Sequence, residues 1–166
     1  LDTSAAAPAP ALTLLRAPIQ AVFPTLDGTN ALVLHGVPPD DTSGAYAAAF
    51  SLLPVALGLP PKIVGVHAPP IAVAVAPQGD HAIVATGDDA SATYELYVAS
   101  LPSLEVTALP LASMPIAAGI AAEGTRGFVA QNHPDGRITF VDFATGTART
   151  LTGFELAAQV VDGSTP

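Results

Sequence analysis

Pro70-Ile71-Ala72-Val73-Ala74-Val75 alternates large and small apolar side chains, and the pattern recurs along the chain. Side chains of a strand alternate faces, so this stretch reads as a strand with one bulky and one small apolar face, as between two packed layers. Pro18-Ile19-Gln20-Ala21-Val22-Phe23 and Pro115-Ile116-Ala117-Ala118-Gly119-Ile120 line up with it. Each is followed by a polar glycine turn: Asp27-Gly28-Thr29-Asn30, Gln78-Gly79-Asp80-His81 or Glu123-Gly124-Thr125-Arg126. A second apolar run then follows at 31–34, 82–85 or 127–130. The leading prolines are spaced by 52 and 45 residues, the extra length falling in a Pro/Gly-rich insertion around 54–61.

A period near 45 with about four short strands per unit is that of a β-propeller blade. A leucine-rich repeat is shorter, and helical repeats space their apolar residues by three and four. The first unit is expected to place strands at 12–16, 19–23, 31–35 and 45–51, and the second at 62–66, 71–76, 81–86 and 94–100. The third places them at 105–109, 116–121, 126–131 and 137–142, and two more are expected at 148–151 and 155–161. The fold class is therefore all-β, with blades of four antiparallel strands at 12–51, 62–100 and 105–142 and a half blade at 148–161. Residues 1–166 make a partial propeller, half of a seven-bladed ring. Ile71, Val73, Val75, Val84, Ile116, Ile120 and Val129 are the expected core.

Composition narrows the function. Fourteen acidic residues against five basic ones give a net charge of −9. The cations, Arg16, Lys62, Arg126, Arg137 and Arg149, are scattered, so a nucleic-acid backbone or an anionic membrane surface would be repelled. Half the residues are apolar, which excludes a disordered chain. There is no Cys, hence no disulfide framework or thiolate metal site. Residues 42–61 carry no charge, but Pro54, Gly58, Pro60 and Pro61 would break a membrane-spanning helix, and buried strands account for the run. The chain opens on Leu1 with no secretory leader pattern after it, which reads as a processed or truncated start.

Leu109-Pro110-Leu111, Pro115-Ile116, Glu123-Gly124 and Gly127-Phe128-Val129-Ala130-Gln131-Asn132 together resemble the YVTN-type bacterial propeller repeat. Phe140-Val141-Asp142-Phe143-Ala144-Thr145-Gly146 resembles that family's last strand and the turn to the next blade. The likeness covers about residues 60–150 closely and 12–50 loosely. It implies a rigid propeller in a secreted, cell-surface or periplasmic bacterial setting, and no particular activity.

Candidate chemistry is sparse. No Gly-x-Ser-x-Gly elbow and no phosphate-binding glycine loop occurs. His35, His67, His81 and His133 form no metal-ligand pair and read as polar strand-end or loop residues. Asp40, Asp41, Asp88, Asp89 and Asp135 fall in equivalent loops on one propeller face, where carboxylates would suit calcium, although no EF-hand pattern accompanies them. Tyr46, Tyr94 and Tyr97 read as outer-edge packing. The expected function is a non-catalytic structural or protein-interaction scaffold without a cofactor. A non-catalytic segment of a propeller oxidoreductase and a cation- or small-ligand-binding propeller are the alternatives. An open propeller bares sheet edges and apolar faces, so a second polypeptide is expected to close it, either the remaining half of the same propeller or another copy.

Overall fold

The computed structural model describes residues 17–37, 44–153 and 155, with twelve strands in three four-stranded antiparallel sheets. The first sheet holds β1 (Ile19–Pro24), β2 (Ala31–His35), β3 (Ala48–Leu53) and β4 (Lys62–Val66). The second holds β5 (Pro70–Val75), β6 (His81–Asp88), β7 (Thr93–Ser100) and β8 (Val106–Pro110). The third holds β9 (Pro115–Ile120), β10 (Arg126–Gln131), β11 (Arg137–Asp142) and β12 (Thr147–Thr152). Strands follow chain order across each sheet. β5 and β9 lie alongside one another, so the first strands form the inner edge of the stack. The chain is a partial β-propeller.

The first hairpin of every sheet uses the same device. Gly28, Gly79 and Gly124 adopt φ of 70°, 74° and 74°, a left-handed conformation that glycine enters without steric cost. Their amides donate to Thr25, Ala76 and Ala121 carbonyls at 3.0, 2.9 and 2.8 Å, closing a tight turn between antiparallel strands.

The grouping of strands differs from the sequence expectation by one. Lys62–Val66 pairs with β3 and closes the first sheet, and Val106–Pro110 pairs with β7 and closes the second. Residues 148–151 lie in β12, the last strand of the third sheet, rather than opening a half blade. The blades therefore run 19–66, 70–110 and 115–152 instead of 12–51, 62–100 and 105–142. The sequence period is blind to this phase, because a short Pro-marked link between sheets looks like a hairpin turn within one. The expected strand at 12–16 lies outside the described residues, as does that at 155–161 apart from Glu155.

The sheets stack in order. Leu32, Phe50, Leu52 and Val66 of the first meet Ala82, Val84, Tyr97 and Ala99 of the second. Ile83, Ala85 and Leu96 of the second meet Leu111, Val129 and Val141 of the third region. The alternation in β5 delivers Val73 and Val75 to the first interface and Ala72 and Ala74 to the second. Phe50 and Tyr97 meet edge to face at 5.6 Å and 70°, a geometry worth about 0.5–1.5 kcal/mol beyond area burial.

Of the expected core, Val84 and Val129 are fully buried, whereas Val73, Val75 and Ile120 are half-buried. Ile71 and Ile116 are exposed, contrary to expectation. Each falls where the register of the first strand skips, between Pro70 and Ala72 or between Pro115 and Ala117. A bulge of this kind turns its extra residue out of the alternation, here on an edge strand. The same skip in β1 falls at Gln20. Consequently Ile19, not Pro18, is the counterpart of Pro70 and Pro115.

Pairing gives the three sheets equivalent registers. Leu32, Ile83 and Phe128 face Leu52, Val98 and Phe140 across the second and third strands. His35, Thr86 and Gln131 occupy one equivalent position at or near the end of the second strands, and all are buried. Buried polar groups require partners. His35 Nε2 lies 2.7 Å from Ser51 Oγ. Gln131 Nε2 donates to Thr139 Oγ1 at 2.6 Å, and Thr139 Oγ1 lies 2.7 Å from Thr150 Oγ1. Gln131 Oε1 accepts from the Ala112 and Ser113 amides, so one side chain ties the inter-sheet link to the third sheet.

Candidate functional site

The acidic loops do not converge. Asp40 and Asp41 lie outside the described residues. Among the described residues no group of three or more metal-ligating side chains comes together. Asp88 accepts from the Ala90 amide at 3.0 Å and from Ser91 Oγ at 2.8 Å, while Asp89 accepts the Tyr94 phenol at 2.7 Å. Asp135 stands in another sheet, its amide donating to His133 Nδ1 at 3.2 Å. At Asp88 and Asp89 the carboxylate folds its own loop.

The bond from Ser91, then that from the Ala90 amide, holds the Asp88 carboxyl below its ordinary value of 3.8. Thr25 and Thr29 do the same for Asp27, and Thr145 for Asp142. A depressed carboxyl contributes stability that is present above its unfolded value and lost as pH falls through its folded value. Melting temperature is therefore expected to stay flat from neutral pH down to about 5 and to fall below about 4. Thermal melts of the wild-type chain and of Asp27→Asn check this, the variant showing a shallower acid limb.

Four residues form a polar cluster at the seam of the first two sheets. Glu95 Oε2 accepts the buried Tyr97 phenol at 2.6 Å and lies 3.3 Å from His67 Nδ1. The His67 ring sits 5.8 Å from that of Tyr46, which in turn covers Gly65 so closely that a Cβ there would stand 2.6 Å from the ring. Burial, then the bond to Glu95, push the Tyr97 phenol well above the ordinary tyrosine range. Tyr97 is thus an inter-sheet core residue, not outer-edge packing. The cluster joins two blades.

His81 and His35 are engaged in packing. His81 stacks on Phe143 at 4.6 Å and 5°, with Nδ1 3.2 Å from Asp80 Oδ2, at ion-pair distance but without hydrogen-bond alignment. A groove of about 130 Å³ beside it is lined by Ser100, Glu105 and Thr107. His35, expected at a polar strand end, is instead wholly buried against Ser51.

Exposed apolar surface is where the chain stands out, and the sequence pattern does not locate it. Phe128 and Phe140, opposite each other in register, are 39 % and 38 % exposed on the third sheet. The Phe128 ring lies over Gly119. Beside Phe140 runs a groove of about 390 Å³ bounded by Arg126, Asp142, Thr147, Arg149 and Leu151. At the first sheet, Leu26, Val55, Leu57 and Leu59 are exposed, their two loops tied by the Ala56 amide donating to the Thr29 carbonyl at 3.0 Å.

No family model matches the chain, and no curated protein matches it. Solved structures do. The β-propeller domain of the Trilobed protease from Pyrococcus furiosus, of open velcro topology, is similar over 82 % of this chain and 43 % of its own, at 8 % identity and a TM-score of 0.56. The Myceliophteria thermophila Cps50 (Swd1) β-propeller domain is similar over 85 % and 40 %, at 7 % identity and a TM-score of 0.58. TolB from Acinetobacter baumannii matches over 83 % and 33 %, at 17 % identity and a TM-score of 0.50. The chain thus spans less than half the length of each of these proteins, and what it shares with them is the fold. No helix among the described residues is long and apolar enough to cross a membrane.

Proposed function

We propose that the chain is a non-catalytic propeller segment with YVTN-type blades, serving as a structural and protein-interaction scaffold that another chain or domain completes. The exposed Phe128–Phe140 pair carries this reading. Contiguous apolar surface on a soluble protein marks an interaction site, and here it lies on the face of a sheet whose two counterparts are covered by the next sheet. The low charge, 11 % of residues, leaves little to keep such a face solvated. The resemblance to the YVTN repeat supports a secreted, cell-surface or periplasmic bacterial setting. A segment of a larger propeller enzyme is the second reading, favoured by the likeness to a protease's propeller domain; the oxidoreductase form of that reading rests on the repeat resemblance.

Light scattering tests the proposal. The isolated chain is expected to self-associate with rising concentration, and Phe128→Ser with Phe140→Ser to suppress this while a cooperative melt is kept. A wild-type chain that stays monomeric at high concentration would count against an unsatisfied interaction face.

A further inference from the structure

At equivalent positions the third sheet carries several of the features by which an earlier sheet seats the one after it. Leu32 and Ile83 are each 0 % exposed, both packed in an inter-sheet core, while Phe128, at the same position, is 39 % exposed. The same contrast holds one strand over. Leu52 is buried and Val98 half-buried in those interfaces, whereas the equivalent Phe140 is exposed.

Two polar reaches obey the same logic. At the first hairpins, Asp27 lies against Gly79, where an added Cβ would meet its Oδ1 at 3.4 Å. Gln78, one sheet on, covers Gly124 and donates from Nε2 to the Ala122 carbonyl at 2.9 Å. Glu123 is the third member of this series and has no following turn among the described residues. At the outer edge, Lys62 Nζ donates to the Leu104 carbonyl in the third hairpin of the next sheet at 2.7 Å. Arg149 occupies the position of Lys62, each facing the equivalent residue of the third strand, Phe140 or Leu52. It lines the groove beside Phe140.

We propose that the free face of the third sheet docks a fourth blade of the same repeat, read at three points. Phe128 and Phe140 take small aliphatic side chains on the blade's first two strands, the counterparts of Val73, Val75, Ala82 and Val84. Glu123 covers a glycine in its first hairpin, because any Cβ there would collide as at Gly124. Arg149 donates to a backbone carbonyl in its third hairpin, at the place Leu104 holds in the second sheet. The occupant is thus a blade rather than a helix or a peptide strand. The proposal rests on the reading that another chain or domain completes the ring, and it adds which face is used and what the arriving sheet must carry.

The test uses the full chain with Phe128→Trp, which supplies the sole indole of the protein. The probe is the same chain extended past Pro166 by a second copy of residues 68–111, the second sheet, tethered so that effective concentration favours docking. Docking is expected to blue-shift the indole emission and cut its acrylamide quenching several-fold relative to the unextended chain, with Arg149→Ala reversing part of the protection. Equal quenching in the two chains would overturn the proposal. An appended copy that remains unfolded by circular dichroism counts against it too, since binding the folded form should stabilise it. A stable dimer of the unextended chain that persists at low concentration with the indole already protected would give the face to a second copy instead. Failure on any of these grounds, with further blades still present in native material on a companion or a longer chain, would leave ring completion standing and reassign only the face; a lone 16.6 kDa monomer removes the reading itself.

Discussion

Val84→Asp is expected to abolish the folded state. Val84 is 0 % exposed at the centre of β6, in the core where Leu32, Phe50 and Leu52 of the first sheet meet Tyr97 and Ala99 of the second. The side chains that form that core are hydrophobic, so a carboxylate there has no cation beside it among the described residues, and burying it costs far more than the lost valine contacts. Penalties above about 4 kcal/mol belong to this class of change, against a total stability of about 5–15 kcal/mol for a domain. Circular dichroism should show no cooperative transition near the wild-type midpoint. A melt within a few degrees of wild type would mean that the first two sheets do not pack as described.

Ile83→Ala and Phe128→Ala should differ sharply although they occupy one position in two blades. Ile83 is fully buried against Val129 and Val141, and truncating such a side chain costs about 2–5 kcal/mol. Phe128 is larger, and by size alone its truncation should cost more. Its ring is 39 % exposed, however, so the expected loss in the isolated chain is about 1–2 kcal/mol, below that of a fully buried ring. Urea denaturation of both variants measures this directly, with unchanged m-values identifying a pure stability effect. A larger loss for Phe128→Ala would show that the third sheet's free face is already covered.

The strands and first turns were legible because their signals are local. Alternation in residues 70–75 and a glycine after Asp27, Gln78 or Glu123 need no tertiary information. Blade phase was not legible, since pairing of Lys62–Val66 with β3 rather than with the 71–76 strand is set by sheet geometry. Burial failed at Ile71 and Ile116 because a one-residue bulge reverses the face of a side chain without altering composition. His35 could have been placed by period two from Ala31 and Val33, but its partner Ser51 stands sixteen residues on. The acidic loops carried their own explanation in Ser91 and Tyr94, within hydrogen-bonding reach of Asp88 and Asp89. Phe128 and Phe140 were illegible as a site for a physical reason: an apolar face awaiting a neighbour has the same sequence as one that has it.

The central claim is that these three sheets are part of a ring completed by further blades. Native mass spectrometry of material purified without denaturation tests it most directly. The account predicts a species heavier than 16.6 kDa, in which this sequence travels with a companion polypeptide or within a longer one, and the additional mass carries more four-stranded repeats. A well-behaved 16.6 kDa monomer, soluble at high concentration with no companion, would contradict it.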